Sequence, residues 1–284
     1  MLYEQTTLNC NGQLLDISSP VVMGVINVTP DSFFKNSRST DEMQLLKLAE
    51  RMITEGVSIL DIGGMSSRPG AKIIDEKLEL ERVIPAIKLL KKHFPESLIS
   101  VDTIRANVAR LSVQEGASIV NDISAGSSDE AMFSTVADLK NVPYILMHMK
   151  GDSPETMQKQ AIYDDICLEI LDFFIKKVGI LRGLGVKDII IDVGFGFGKT
   201  INHNFELLRK MSNFKILEVP ILAGISRKSM IWKTLEITPE EALNGTSVLN
   251  LIALQQGAKI LRVHDVKEAV EVIKLFALTY SPHR

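Results

Sequence analysis

A closed (β/α)8 barrel is the fold this sequence predicts. Three observations predict it: eight short apolar runs rich in Val and Ile, helical periodicity between them, and no Gly/Ser/Pro linker to interrupt the alternation. Continuous apolar strands that alternate with helices belong to a parallel sheet covered on both faces. A count of eight favours closure into a barrel over an open doubly wound sheet. The whole chain, residues 1–284, then forms one α/β domain.

The first twenty residues read as a β-hairpin, with Asn11-Gly12 as a two-residue turn between Thr6 to Cys10 and Gln13 to Ile17, placed to cap the body. The barrel strands follow as Val21 to Ile26, Val57 to Ile62, Leu98 to Val101, Ala117 to Val120, Pro143 to Met147, Asp188 to Ile191, Val219 to Ile225 and Ala258 to Val263. Between the first two, Glu42, Leu45, Leu46, Leu48, Ala49, Met52 and Ile53 recur at helical spacing. Ser39 with Glu42 reads as the capping box of that helix, and Thr238-Pro239-Glu240-Glu241 repeats the signature with proline at the first helical position.

Composition excludes several classes. At 45% hydrophobic and 24% charged the chain is ordinary for a globular protein, and a net charge of −3 with a pI near 6.0 lacks the basic footprint of a nucleic-acid binder. Cys10 and Cys167 stand far apart, outside any CxxC or Cys/His cluster, which argues against a disulfide framework or a zinc site. The N-terminus lacks a basic stretch followed by an apolar one, and no apolar run approaches the length of a membrane span. The expectation is a cytoplasmic protein.

Active sites of such barrels lie at the C-terminal ends of the strands. Here those ends carry Asn27, Asp61 before Gly63-Gly64, Asp102, Asn121-Asp122, His148, Asp192, Ser226-Arg227-Lys228, and Arg262 with His264. Any one alone reads first as a helix N-cap, as Asp265 with Glu268 does; so many together read as a ligand site. Arg262 and His264 share a face just before a helix N-terminus, which makes an anion site. Barrel closure sets Asn27 on the neighbouring strand, where a phosphate and a hard metal ion held through the amide oxygen fit. Across the mouth, Asp102, Asn121, Asp192 and Lys228 suit a flat heterocycle with amino and oxo edges.

Gly194-Phe195-Gly196-Phe197-Gly198-Lys199-Thr200 approaches a P-loop, but the first glycine required would fall at Val193. Ser226 and Arg227 beside Lys228 suggest a charged lysine rather than a Schiff-base amine. The five histidines show no HxxxH pairing, which argues against a zinc hydrolase.

In order along the chain come Met23 to Phe33 (MGVINVTPDSF), Asp61 to Gly64 with Ser66 to Gly70, Ser100 to Thr103, Asn121 to Ile123, Leu146 to Met149, Gly194 to Thr200, Ser226 to Met230, and Arg262 to Asp265. In these motifs the chain resembles the dihydropteroate synthases over nearly its whole length. The resemblance implies a barrel that joins 7,8-dihydropterin-6-ylmethyl diphosphate to 4-aminobenzoate, with Mg²⁺, as a homodimer. It implies pterin-binding roles for Asp102, Asn121, Asp192 and Lys228, with Met149 and Phe197 as apolar walls. Arg262 is to lie over the pterin and reach the phosphate, while Asn27 and His264 complete a diphosphate and Mg²⁺ site. Asp31 to Ser37 fall in a first mobile loop, and Ser67, Arg68 and Pro69 in a second; Ser226 and Lys228 border the aminobenzoate side. The chain departs from the family pattern at Lys35, Met65, Ser67, Val193 and Trp232. Two alternatives share parts of this pattern: a corrinoid-type methyltetrahydrofolate methyltransferase barrel, and a non-catalytic pterin-binding protein.

Overall fold

The computed structural model describes residues 5–29, 38–65, 73–151 and 161–280. The N-terminal strands β1 (Thr7–Cys10) and β2 (Gln13–Asp16) form an antiparallel hairpin, with Asn11 and Gly12 at φ 55° and 96° in the turn. Positive φ at both turn residues matches the twist of the flanking strands, which is why Asn-Gly stands there. The barrel follows as β3 (Val21–Asn27), α1 (Arg38–Thr54), β4 (Ile59–Gly63), α2 (Glu76–His93), β5 (Leu98–Asp102), α3 (Ala106–Gln114), β6 (Ile119–Asp122), α4 (Met132–Leu139), β7 (Tyr144–Met147) and α5 (Ile166–Gly183). It continues through β8 (Ile189–Asp192), α6 (Ile201–Arg209), a 3₁₀ turn (Met211–Leu217), β9 (Ile221–Ala223), α7 (Ser229–Leu235), α8 (Leu243–Gln255), β10 (Ala258–Val263) and α9 (Val266–Tyr280). All eight barrel strands are parallel, and β10 closes onto β3 with Val263 opposite Gly24.

The barrel interior is stratified by side-chain alternation. Along β3, β4 and β5 the inward positions run Met23, Val25, Asn27; Ile59, Asp61, Gly63; and Leu98, Ser100, Asp102, in matched register. The lowest layer is apolar, joining Met23, Ile59, Leu98, Ile119, Ile145, Ile190, Leu222 and Ile260 to Leu8, Cys10 and Ile17 of the hairpin. The hairpin is therefore the floor of the barrel. Asp188 fastens it there, accepting from the Asn9 N–H at 3.3 Å and the Gln5 amide at 2.5 Å. The second layer turns polar, so the change from packing to chemistry occurs within single strands, two residues apart.

Two expected helix starts and one expected side-chain cap need correction. Helix α1 begins at Arg38, so Ser39 falls in the first turn rather than at the cap. Thr238 and Glu241 do bond reciprocally, but they close a turn, and α8 starts only at Leu243. Asp265 directly precedes α9, yet both its oxygens accept from Arg227, Nε and Nη2 at 2.8 Å each, rather than from the helix.

Candidate active site

Arg262, inward on β10, is the centre of the mouth. Its Nε donates to Asp61 Oδ2 and its Nη2 to Asp102 Oδ2, both at 2.7 Å. Asp61 Oδ2 also accepts from Asn121 Nδ2 at 3.2 Å. One buried carboxylate thus orients two of the predicted pterin-facing groups. Asp61 was visible in the sequence only as one more strand-end carboxylate; its place two residues below Gly63, on the inward face, is the signal of its supporting role. Burial alone would lower the Arg262 pKa, but Asp61 and Asp102 outweigh it and hold the guanidinium above its ordinary value. Burial pushes the Asp102 carboxyl up to about 7, against the pull of Arg262.

The opposite wall is built on the loop after β8. Asp192 ends that strand and is buried, its carboxylate fixed by the Gly194 N–H at 2.7 Å, and burial raises its pKa against the pull of Lys228. Lys228 donates to the Phe195 carbonyl, and its Nζ lies 4.6 Å from the centre of the Phe197 ring. A charged, well-solvated lysine was expected here. Instead burial lowers the amine to about 8, with Arg262 adding to that shift and Asp192 opposing it, so it is a desolvated lysine set between a carboxylate and an aromatic ring. A methyl group added at Gly224 would sit 3.6 Å from Asp192 Oδ2 and 4.0 Å from Lys228 Nζ. Gly224 therefore leaves open the hollow that both groups face. Phe197 joins Met65, Ile104, Ile123 and Met147 in an apolar cluster against which Met149 packs. Apolar side chains and convergent acceptors and donors thus meet at one part of the mouth.

The anion side stands one strand away. Ser226 Oγ accepts the His264 backbone N–H at 3.2 Å and lies 3.0 Å from His264 Nδ1. Ser226 ties both the backbone and the ring of His264 in place. Ser226, expected beside the aminobenzoate, is thus engaged by the imidazole. Arg227, at φ 52°, points away and ties Asp265 to the carbonyls of Pro239 and Glu240. Asn27 ends β3, the strand that pairs with β10. Its Oδ1 would lie 3.6 Å from a methyl at Gly63, whose own neighbour on the other side is Asp102. Among the described residues no group of three or more His, Cys, Asp or Glu is placed to hold a metal ion. The fit of Mg²⁺ therefore depends on one amide oxygen plus oxygens of a bound substrate and water, a donor set that suits a hard cation.

Two predicted features lie elsewhere. His148 turns outward from the mouth, its ring edge-on to Phe173 at 4.9 Å and its Nδ1 3.0 Å from Lys199 Nζ. Asp122 also points outward, where it accepts from Ser124, Gly126 and the Tyr144 hydroxyl. Ser67, Arg68, Pro69 and the stretch from Asp31 to Ser37 fall outside the described residues.

Comparison with known proteins decides the family. Residues 23–264 match the pterin binding enzyme family. Dihydropteroate synthase from Escherichia coli strain K12 is 42% identical over 276 residues, covering 96% of each chain. The chain belongs to the dihydropteroate synthase family. The family's solved structures agree with the barrel: Xanthomonas albilineans dihydropteroate synthase with 4-aminobenzoic acid superposes with a TM-score of 0.89 at 38% identity, covering 98% of this chain and 99% of that one. The same bacterium's dihydropteroate synthase in complex with 7,8-dihydropteroate gives a TM-score of 0.84 at 34% identity, covering 98% of this chain and all of that one. The chain's eight-stranded barrel with its antiparallel hairpin is the dihydropteroate synthase fold. No helix among the described residues is long and apolar enough to cross a membrane.

Proposed function

We propose that this chain makes 7,8-dihydropteroate by dividing its mouth into a ring side and a leaving-group side, with Arg262 between them. The observation that carries this reading is the position of Arg262, bonded to Asp61 and Asp102 on the ring side and one inward step before His264 on the anion side. Asp102, Asn121 and Asp192 present acceptors and an amide to the polar edge of the pterin, Lys228 donates to it, and Met149 and Phe197 supply apolar walls. On the other side Asn27, Ser226, His264 and the N-terminus of α9 face the diphosphate.

In the reaction the methylene C–O bond breaks, its electron pair leaves with the diphosphate, and the aminobenzoate nitrogen forms the new C–N bond and releases a proton to water. Arg262 and the His264 imidazole meet charge that grows on the departing oxygens, each preorganised donor contributing roughly 3–4 kcal/mol. Mg²⁺, held through Asn27 Oδ1 and phosphate oxygens, would supply Lewis-acid stabilisation of the same charge. The arylamine is unprotonated near neutral pH, so no strong general base is required. Bond breaking is taken to run ahead of amine attack, leaving a cation-like pterin.

Two measurements test the reading. With chemistry rate-limiting, the pterin methylene should show a normal secondary deuterium isotope effect; an effect of unity contradicts early bond breaking. Pterin affinity should depend on Asp192 and diphosphate inhibition on Asn27; if Asp192→Asn and Asn27→Ala shift both constants alike, the division into sides is wrong. A methyltransferase barrel would instead bind methyltetrahydrofolate, independently of diphosphate. The homodimer is supported by exposed Val248, Leu275 and Leu278 on the packed pair α8 and α9, and sedimentation equilibrium at twice the chain mass checks it.

A further inference from the structure

Lys199 is buried, yet the mouth does not contain it. Its Nζ lies inside the turn of the β8 loop, donating to the carbonyls of Gly194 at 2.8 Å, Phe197 at 3.0 Å and His148 at 3.2 Å, with His148 Nδ1 at 3.0 Å. Burial, with Lys228 and Lys150 adding to it, pushes the amine well below its ordinary pKa, yet its N–H groups are taken up by three carbonyls that are drawn together around it. Other bonds also shape the loop, the Phe197 N–H to the Gly194 carbonyl at 3.1 Å, the Gly196 N–H to Asn204 Oδ1 at 2.7 Å and the Tyr163 hydroxyl to the Gly198 carbonyl at 3.1 Å, but Lys199 Nζ alone among these donors joins the carbonyls of both Gly194 and Phe197 to that of His148. Gly194, Gly196 and Gly198 all have φ near +65° to +85°, and a methyl at Gly194 would fall 1.9 Å from the His148 carbonyl oxygen.

What the loop presents outward is the ring wall. Its Gly194 N–H fixes Asp192, its Phe195 carbonyl accepts from Lys228, and its Phe197 ring lies beneath the Lys228 ammonium. The loop's carbonyls are therefore divided between two lysines, those of Gly194 and Phe197 to Lys199 and that of Phe195 to Lys228. We propose that Lys199 is a positioning residue for the pterin: its amino group templates the Gly194 to Gly198 loop so that Asp192, Phe197 and Lys228 are held at the spacing the ring requires. The inference rests on the reading of this hollow as the pterin site, and it assigns the failed P-loop motif a role that involves no nucleotide.

The test compares full-length parent and Lys199→Met by calorimetric titration with a 6-hydroxymethyl pterin, and by diphosphate inhibition of turnover. The parent must bind the pterin; if it does not, the pterin reading of the hollow fails and not the role of Lys199. The expected result for Lys199→Met is a pterin Kd raised by at least about tenfold, with the diphosphate inhibition constant within about twofold of parent. A pterin Kd within about twofold of parent, or an equal rise in the diphosphate constant, overturns the proposal. A merely structural lysine would lower the active fraction and hence kcat, with both constants unmoved. Lys199→Arg covers the case in which the methionine variant is recovered unfolded: a planar fork cannot occupy a point this close to three carbonyls without moving them. It should show the same pterin-selective loss, and parent-like pterin affinity in it counts against the proposal.

Discussion

Arg262→Lys separates geometry from charge at the centre of the mouth. Arg262 spans two carboxylates with Nε and Nη2 at 2.7 Å each. Lysine keeps the charge but is a point donor that cannot fill both positions of the fork, so one charge-assisted bond, worth about 1.5–3 kcal/mol, is lost. At about 1.4 kcal/mol per decade, kcat/KM for the pterin diphosphate should fall roughly 10- to 100-fold. Arg262→Ala removes the leaving-group donor altogether and should fall further, to about 100- to 1000-fold in kcat. It also leaves Asp61 and Asp102 without their cation, a defect of about 3–5 kcal/mol that urea unfolding will register. Its sign with pH is fixed by Asp102, whose carboxyl burial pushes up to about 7 from 3.8. The folded state binds more protons than the unfolded one between those values, so this carboxyl contributes stability below the window that is lost as pH rises through it. The alanine variant should therefore regain stability on mild acidification. Steady-state diphosphate release measures the rates. Parental kcat/KM in Arg262→Lys would refute the reasoning, since charge alone would then suffice.

Other predictions follow from the same geometry. Pterin affinity should peak in a narrow window, rising as Asp102 ionises through about 7 and falling as Lys228 loses its proton above about 8; a flat profile across roughly pH 6 to 9 would contradict the roles of both. Gly224→Ala adds a methyl at ordinary contact distance from Asp192 and Lys228, so the unfolding midpoint should hold while the pterin Kd rises about tenfold or more. Equal loss of stability and affinity would show that Gly224 serves packing instead. Asn27→Ala should raise the Mg²⁺ concentration needed for half-maximal turnover without altering pterin affinity in the absence of diphosphate. Unchanged Mg²⁺ dependence would remove Asn27 from the metal site.

The barrel was legible because its strands announce themselves twice, as short β-branched runs and as polar residues at one end of each. All eight lie where the runs place them, within a few residues at the ends. The two sides of the mouth were legible from charge, since Arg262, Asp102, Asn121 and Asp192 lie on inward positions of parallel strands. Less could be read where a side chain's role depends on tertiary packing. The periodicity that marks Asp61 as inward does not say that it bonds Arg262 and Asn121 together. The spacing that disqualifies Gly194 to Thr200 as a P-loop gives no hint that Lys199 folds back beneath its own loop, and only burial shows that Lys228 is desolvated. His148 misled for a simple reason: one residue past Met147, the alternation of the strand turns it to the helix side.

Turnover with product identification tests the central claim most directly. The full chain is mixed with Mg²⁺, 7,8-dihydropterin-6-ylmethyl diphosphate and 4-aminobenzoate, and dihydropteroate and diphosphate are quantified together. The account predicts equimolar formation of both, abolished when either substrate is withheld. Tight binding of the pterin diphosphate with no dihydropteroate formed would contradict it and leave a pterin-binding protein without catalysis.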